Sequence, residues 1–177
     1  LIRYDEGMRV ERSVSFPGRT HAERGMAKAR WLDANATLDA RLPLVRDMCR
    51  IFVKAYGPND QEKVARGFQR FSRDGIRYVV DGPGEELSDS EQTIRKAAGD
   101  CDDKARLFVA LCRSAKIEAR ILPVFLGDNF THVQAEVLLN LREPGTKNYR
   151  MRWIPAELIV RDVELGQFIP RGTIILA

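Results

Sequence analysis

The chain is 177 residues long, 44% hydrophobic and 31% charged, the balance of a folded globular domain and not of a disordered or membrane-embedded one. Its formal charge of +4 comes from arginines scattered among acids. No basic block is interleaved with aromatics, so nucleic-acid recognition is not indicated.

No apolar run reaches the ~18 residues of a spanning helix, and no signal-peptide pattern is present. The three cysteines, Cys49, Cys101 and Cys112, are too few, and odd in number, for a disulfide framework. They point to a reducing, cytoplasmic compartment, or to a virion were the chain phage-encoded. On one helix Cys101 and Cys112 would stand roughly 16 Å apart, beyond bridging reach. With two histidines and no CxxC or HxH spacing, a zinc site is not expected.

In chain order, residues 1–22 alternate weakly around Met8-Arg9-Val10 and Val14-Ser15-Phe16 before a Pro17-Gly18 turn. This is an extended arm, pairing with the body or with a neighbouring subunit. From Ala22 to Tyr56 the pattern is helical, interrupted at Pro43 and stopped by Gly57-Pro58. Leu44, Val45, Met48, Ile51, Phe52 and Ala55 form its apolar stripe. Asn59-x-x-Glu62 reads as a capping box for a helix ending near Gly75. Its apolar face is Val64, Ala65, Phe68 and Phe71; Lys63, Arg66, Arg70 and Arg73 are its solvated face.

Ile76 to Val80 is a short strand, residues 81–93 a polar loop, and Thr93 to Ala98 a brief turn. Then comes Gly99-Asp100-Cys101-Asp102-Asp103, running into the apolar Leu107 to Cys112. Asp100 suits an N-cap, and Asp102 and Asp103 are acids where the helix dipole favours them. Beyond this helix the period changes from about 3.6 to 2. Strands are expected over Ile117–Leu126, Thr131–Leu139 and Tyr149–Pro155, joined by turns at Gly127-Asp128-Asn129 and Pro144-Gly145. The apolar end, Thr173 to Ala177, is a last core strand or a docking tail. Helices followed by hairpin-linked strands make an α+β domain, an antiparallel sheet packed on the cysteine helix.

A cysteine at a helix start is a candidate nucleophile, since unpaired amides there stabilise a thiolate or an oxyanion. It needs a base and a group to orient that base. His132 opens a strand downstream, and Glu157 follows the next strand. Trp153, Pro155 and Glu157 share a face by alternation, which would set Trp153 and the carboxylate beside the imidazole. Glu136, four residues along the strand from His132 and roughly 13 Å away, is a poor orienter. Three aspartates beside Cys101 oppose thiolate formation unless His132 is charged or the acids pair with Lys104 and Arg106. The acids also suggest a cation held by Asp100, Asp102 and Asp103. An EF-hand loop does not fit, because the twelfth position from Asp100 is Leu111. No metal and no cofactor is expected.

These segments resemble the transglutaminase-like superfamily. Gly99-Asp100-Cys101-Asp102-Asp103 is similar to its cysteine motif and Ile117-Glu118-Ala119-Arg120 to the segment after that helix. Thr131-His132-Val133 with Glu136-Val137 resembles the histidine strand, and Trp153-Ile154-Pro155 the tryptophan before the third residue. The likeness covers roughly residues 60–165. Glu157 stands where the family usually has Asp, and Lys116-Ile117-Glu118 replaces its usual Gly and Pro.

The resemblance implies a papain/transglutaminase-like core over 59–177, behind an N-terminal arm and helical extension over 1–58. It implies a Cys101-His132-Glu157 triad, supported by Asp100 and Trp153, that hydrolyses or transamidates a protein or peptide substrate. The acidic motif is similar to members from bacterial and phage genomes. The alternative is therefore an assembly component of a phage-like particle or other oligomeric machine that keeps the fold.

Overall fold

A side-chain cap sets the start of every α-helix but the second, which starts on a proline. The computed structural model describes residues 2–5, 8–12, 15–80, 86–126 and 129–167; the expected tail over 173–177 and the turn at 127–128 lie outside them. Helix α1 (His21–Asp39) opens on Thr20 and Glu23, each side chain bonded to the other's backbone amide, a capping box. Pro43 sits in the first turn of α2 (Pro43–Tyr56), and Gly57, at φ 97°, ends it. Val45 and Cys49 of α2 are buried, with Met48 and Phe52 packed beside them. Ile51, assigned above to the buried stripe, is 59% exposed. It lies about 120° around the helix from Val45 at 100° per residue, which turns it to solvent.

Helix α3 (Gln61–Arg70) is capped one residue later than expected: Asp60 accepts the Lys63 amide at 3.0 Å. Glu62 does not complete a box with Asn59; it pairs with Arg66 instead. A single π-helical turn, Phe71–Gly75, extends α3. That wider turn carries Arg73 inward. Expected on the solvated face, Arg73 is 8% exposed and donates through Nη1 to Val163 O at 2.5 Å.

The expected strand after Gly75 is only β3 (Arg77–Tyr78). The expected loop before the cysteine motif instead holds structure: β4 (Glu86–Ser88), α4 (Ser90–Lys96) and β5 (Ala98–Gly99). Asp89 and Gln92 form a second capping box at α4, a signal present in the sequence. The N-terminal arm forms β1 (Ile2–Asp5) and β2 (Met8–Arg12), and β2 pairs with β4, so the arm joins the body. Strand β3 pairs in parallel with β5.

Helix α5 (Cys101–Ser114) runs through the centre, buried from Asp102 to Cys112. Helices α1 to α4 surround it, and the main sheet covers the remaining side. That sheet is antiparallel in the order β6 (Ala119–Leu126), β7 (Asn129–Arg142), β8 (Tyr149–Ala156). Val133, Ala135, Val137 and Leu139 of β7 face the core, as alternation requires. The architecture is α+β.

Candidate active site

Cys101 occupies the first turn of α5 because Asp100 builds the cap. Asp100 Oδ1 accepts the amides of Asp102 and Asp103 at 2.9 and 3.1 Å, and its carbonyl accepts that of Lys104 at 3.2 Å. The Cys101 amide lies outside these cap bonds. Cys101 is the one partly exposed cysteine; Cys49 and Cys112 are buried. Its sulfur meets the backbone N–H of Val133, the residue after His132. The main-chain fold thus brings the helix start and the histidine strand together. Among the described residues the thiol bonds to Asp102 Oδ1 at 3.6 Å, and not to the imidazole.

The three aspartates are each engaged. Asp100 caps the helix, Asp102 forms an ion pair with Lys28 of α1, and Asp103 accepts the Ser88 amide at 2.9 Å. Lys104 and Arg106, offered above as alternative partners for these acids, bond elsewhere. Lys104 Nζ donates to Arg73 O at 2.9 Å, and Arg106 pairs with Asp39. Burial raises the Cys101 thiol far above its ordinary range, and the charges of Asp102 and Asp100 add to that. Oxygen and sulfur atoms of Asp100, Cys101 and Asp102 lie within 4.8 Å of one another. Their commitments to the cap and to Lys28 already use these donors, so the set does not call for a cation.

His132 stands near the start of β7, and its Nε2 lies 3.3 Å from Glu157 Oε2. Glu157 follows β8 and is 1% exposed. Its Oε1 accepts the amides of Leu158, Ile159 and Val160 at 3.0, 2.8 and 3.3 Å. Burial alone would raise this carboxyl. The bond and the charge of His132, then the bonds from Gln134 and the Ile159 amide, outweigh it and hold the group down at about 2. Gln69 of α3, fully buried, donates to Glu157 O and to Val163 O at 3.0 and 2.9 Å, closing the loop around the carboxylate.

Two of these residues escaped sequence reasoning. Gln134 Nε2 donates to Glu157 Oε2 at 2.7 Å; alternation places it on the His132 face, which was the available hint. Gln69 carried no hint, since its contacts span 88 and 94 residues. Trp153 is not beside the imidazole. It pairs with Leu138, six residues along β7 from His132 and roughly 20 Å away at strand rise. There the Arg120 guanidinium stacks on its ring at 4.0 Å. Glu136 bonds Arg120 at 2.7 Å, away from the histidine. A surface hollow of about 640 Å³ lined by Tyr56, Asp60, Lys63, Asn140 and Tyr149 shares no residue with this cluster.

Residues 52–158 match the family model described as the transglutaminase-like superfamily. The chain belongs to that superfamily. Two solved structures are similar to it, the first closely enough to share its fold. The crystal structure of a "putative protease" from Parabacteroides distasonis aligns at a TM-score of 0.52 and 16% identity, over 64% of this chain and 24% of the other. A "putative cysteine protease" from Cytophaga hutchinsonii aligns at 0.45 and 21%, over 65% and 38%. The chain therefore spans well under half of either protein. No curated protein matches the sequence. Among the described residues, no helix of this transglutaminase-like chain is long and apolar enough to cross a membrane.

Proposed function

We propose that the chain is a cysteine-dependent acyl-transfer enzyme acting on a peptide or carboxamide carbonyl. The observation that carries this reading is the buried Glu157 carboxylate facing His132 Nε2 at 3.3 Å. With the proton of the neutral ring on Nε2, Nδ1 is left as the base for a thiol.

Cys101 Sγ bonds to the carbonyl carbon while its proton passes to His132 Nδ1. The oxyanion then collapses, the C–N bond breaks, and that proton leaves on the departing amine. Water or an acceptor amine next attacks the thioester, giving its own proton to Nδ1, and the sulfur departs and is reprotonated. Hydrolysis and transamidation share the acyl-enzyme and differ in this second nucleophile. The cap at Asp100 keeps the Cys101 amide aimed outward as an oxyanion donor. A thiol held protonated by burial and by two aspartates makes His132 a general base, not one half of a pre-formed ion pair.

In this reading a protein or peptide is the substrate, residues 59–177 are the catalytic core and 1–58 its extension. The test is mass-mapped alkylation with iodoacetamide, run beside turnover of Gln-containing peptides, scored for ammonia and new termini. Cys101 labels ahead of Cys49 and Cys112, and Cys101→Ser abolishes turnover. Equal, slow labelling at all three cysteines, or turnover that survives Cys101→Ser, overturns the proposal.

A further inference from the structure

Glu157 Oε2 is shared between two donors of different strength. Gln134 Nε2 approaches to 2.7 Å and His132 Nε2 only to 3.3 Å. The other oxygen is taken by three loop amides. The carboxylate charge is thus divided among five donors, and the imidazole has a longer bond than the glutamine that competes for the same atom. A carboxylate already satisfied by neutral donors attracts a proton onto a neighbouring imidazole less strongly than a free one.

We infer that Gln134 is a positioning residue that fixes Glu157 Oε2 and limits the negative charge His132 meets. The inference rests on His132 being the base proposed above.

Other charged groups stand on every element that meets here. Asp100 and Asp102 lie at the start of α5, with Lys28 of α1 on Asp102. Lys104 of α5 interacts with the Glu157 charge. On β7 itself Glu136 is bonded to Arg120 of β6. Each of these has a partner or lies on another side of the carboxylate. Among the described residues, Gln134 alone shares with the ring the oxygen that faces it.

The protein's two histidines make the test direct. His21 is exposed at the start of α1 and serves as an internal control while imidazole carbon shifts are followed against pH by NMR. Gln134→Met keeps the length and removes the donor. It raises the His132 midpoint by roughly half to one pH unit and leaves His21 unchanged. Gln134→Lys places a cation on the same oxygen and lowers the His132 midpoint. A general loosening of the site would not move the two variants in opposite directions. Shifts of the same sign in both variants, or no shift in a folded Gln134→Met, overturn the inference. The readout needs no turnover, so an inactive wild type would count against the proposed function and leave this measurement standing.

Discussion

Arg106 and Asp39, 67 residues apart in sequence, meet as a buried two-bond pair. Nε donates to Oδ2 at 2.7 Å and Nη2 to Oδ1 at 3.0 Å, with both residues about 5% exposed or less. The pair joins the end of α1 to the second turn of α5. The same carboxylate accepts the amide and hydroxyl of Ser90 at α4, and Arg106 Nη1 donates to Ser88 O. One ion pair therefore ties four elements together directly behind the Cys101 turn. Removing Asp39 from such a pair leaves a buried charge and orphans the Ser90 amide and hydroxyl. Asp39→Ala is expected to cost about 3–5 kcal/mol by urea denaturation. The exposed Asp47–Arg50 pair is the comparison, and Asp47→Ala should leave the midpoint unmoved.

The Glu157 carboxyl is held at about 2 in the fold, against an ordinary 4.5. A depressed carboxyl adds stability that is complete above its unfolded value and is lost as pH falls toward the folded one. The window is therefore about pH 4.5 to 2. Over that window it amounts to about 3 kcal/mol, an order-of-magnitude figure. Glu157→Gln is accordingly less stable at neutral pH, with a shallower acid limb below pH 4.5. On activity, the same variant leaves the His132 tautomer unset and should lower kcat/KM roughly 10²–10⁴-fold. An acid limb identical to wild type would show that the carboxylate is not held as described.

How far the site was legible in the sequence follows from the range of each interaction. The elements that carry Cys101, His132 and Glu157 were readable because each is marked locally: a cap, a change to period 2, and the end of an alternating strand. The β7 pairing was readable for the same reason, and so was the exclusion of Glu136 by its distance along the strand. What failed was long-range. The acids of the cysteine motif found Lys28 and the Ser88 amide in place of the neighbouring Lys104 and Arg106, and no local pattern names such partners. Trp153 was put on the correct face but at the wrong height, because its register to Leu138 depends on where β8 ends. Arg73 went inward because the helix widens at Phe71, a change that periodicity at 3.6 does not register.

Gly99, beside the cap, is a second consequence of close packing. A Cβ added there would lie 2.6 Å from Asp103 Cβ and 2.9 Å from its Oδ2. Asp103 is the residue that receives the Ser88 amide. Gly99→Ala therefore pushes Asp103 off that amide and leaves a buried donor unpaired, at about 1–3 kcal/mol. Amide hydrogen exchange should show lost protection at Ser88 and the start of α5, with β7 and β8 unaffected. Uniform loss across the sheet would mean the substitution acts by global unfolding.

Asp102 offers the sharpest test of why the Cys101 thiol is neutral. Burial and the Asp102 and Asp100 charges all raise it, while Lys28 works the other way. Alkylation of wild-type Cys101 should then keep climbing with pH through the alkaline range, with no plateau near neutrality. Asp102→Asn removes the nearest like charge and releases Lys28 to act on the sulfur alone. The thiolate fraction at pH 7 rises, and the iodoacetamide rate with it, by about tenfold for each pH unit the thiol is lowered. Lys28→Met shifts the rate in the opposite direction, because Asp102 then keeps its full charge beside the thiol. Mapped rates for Cys101 in the two variants check both signs at once. If both variants slow labelling equally, access to the sulfur controls its reactivity and the electrostatic account fails.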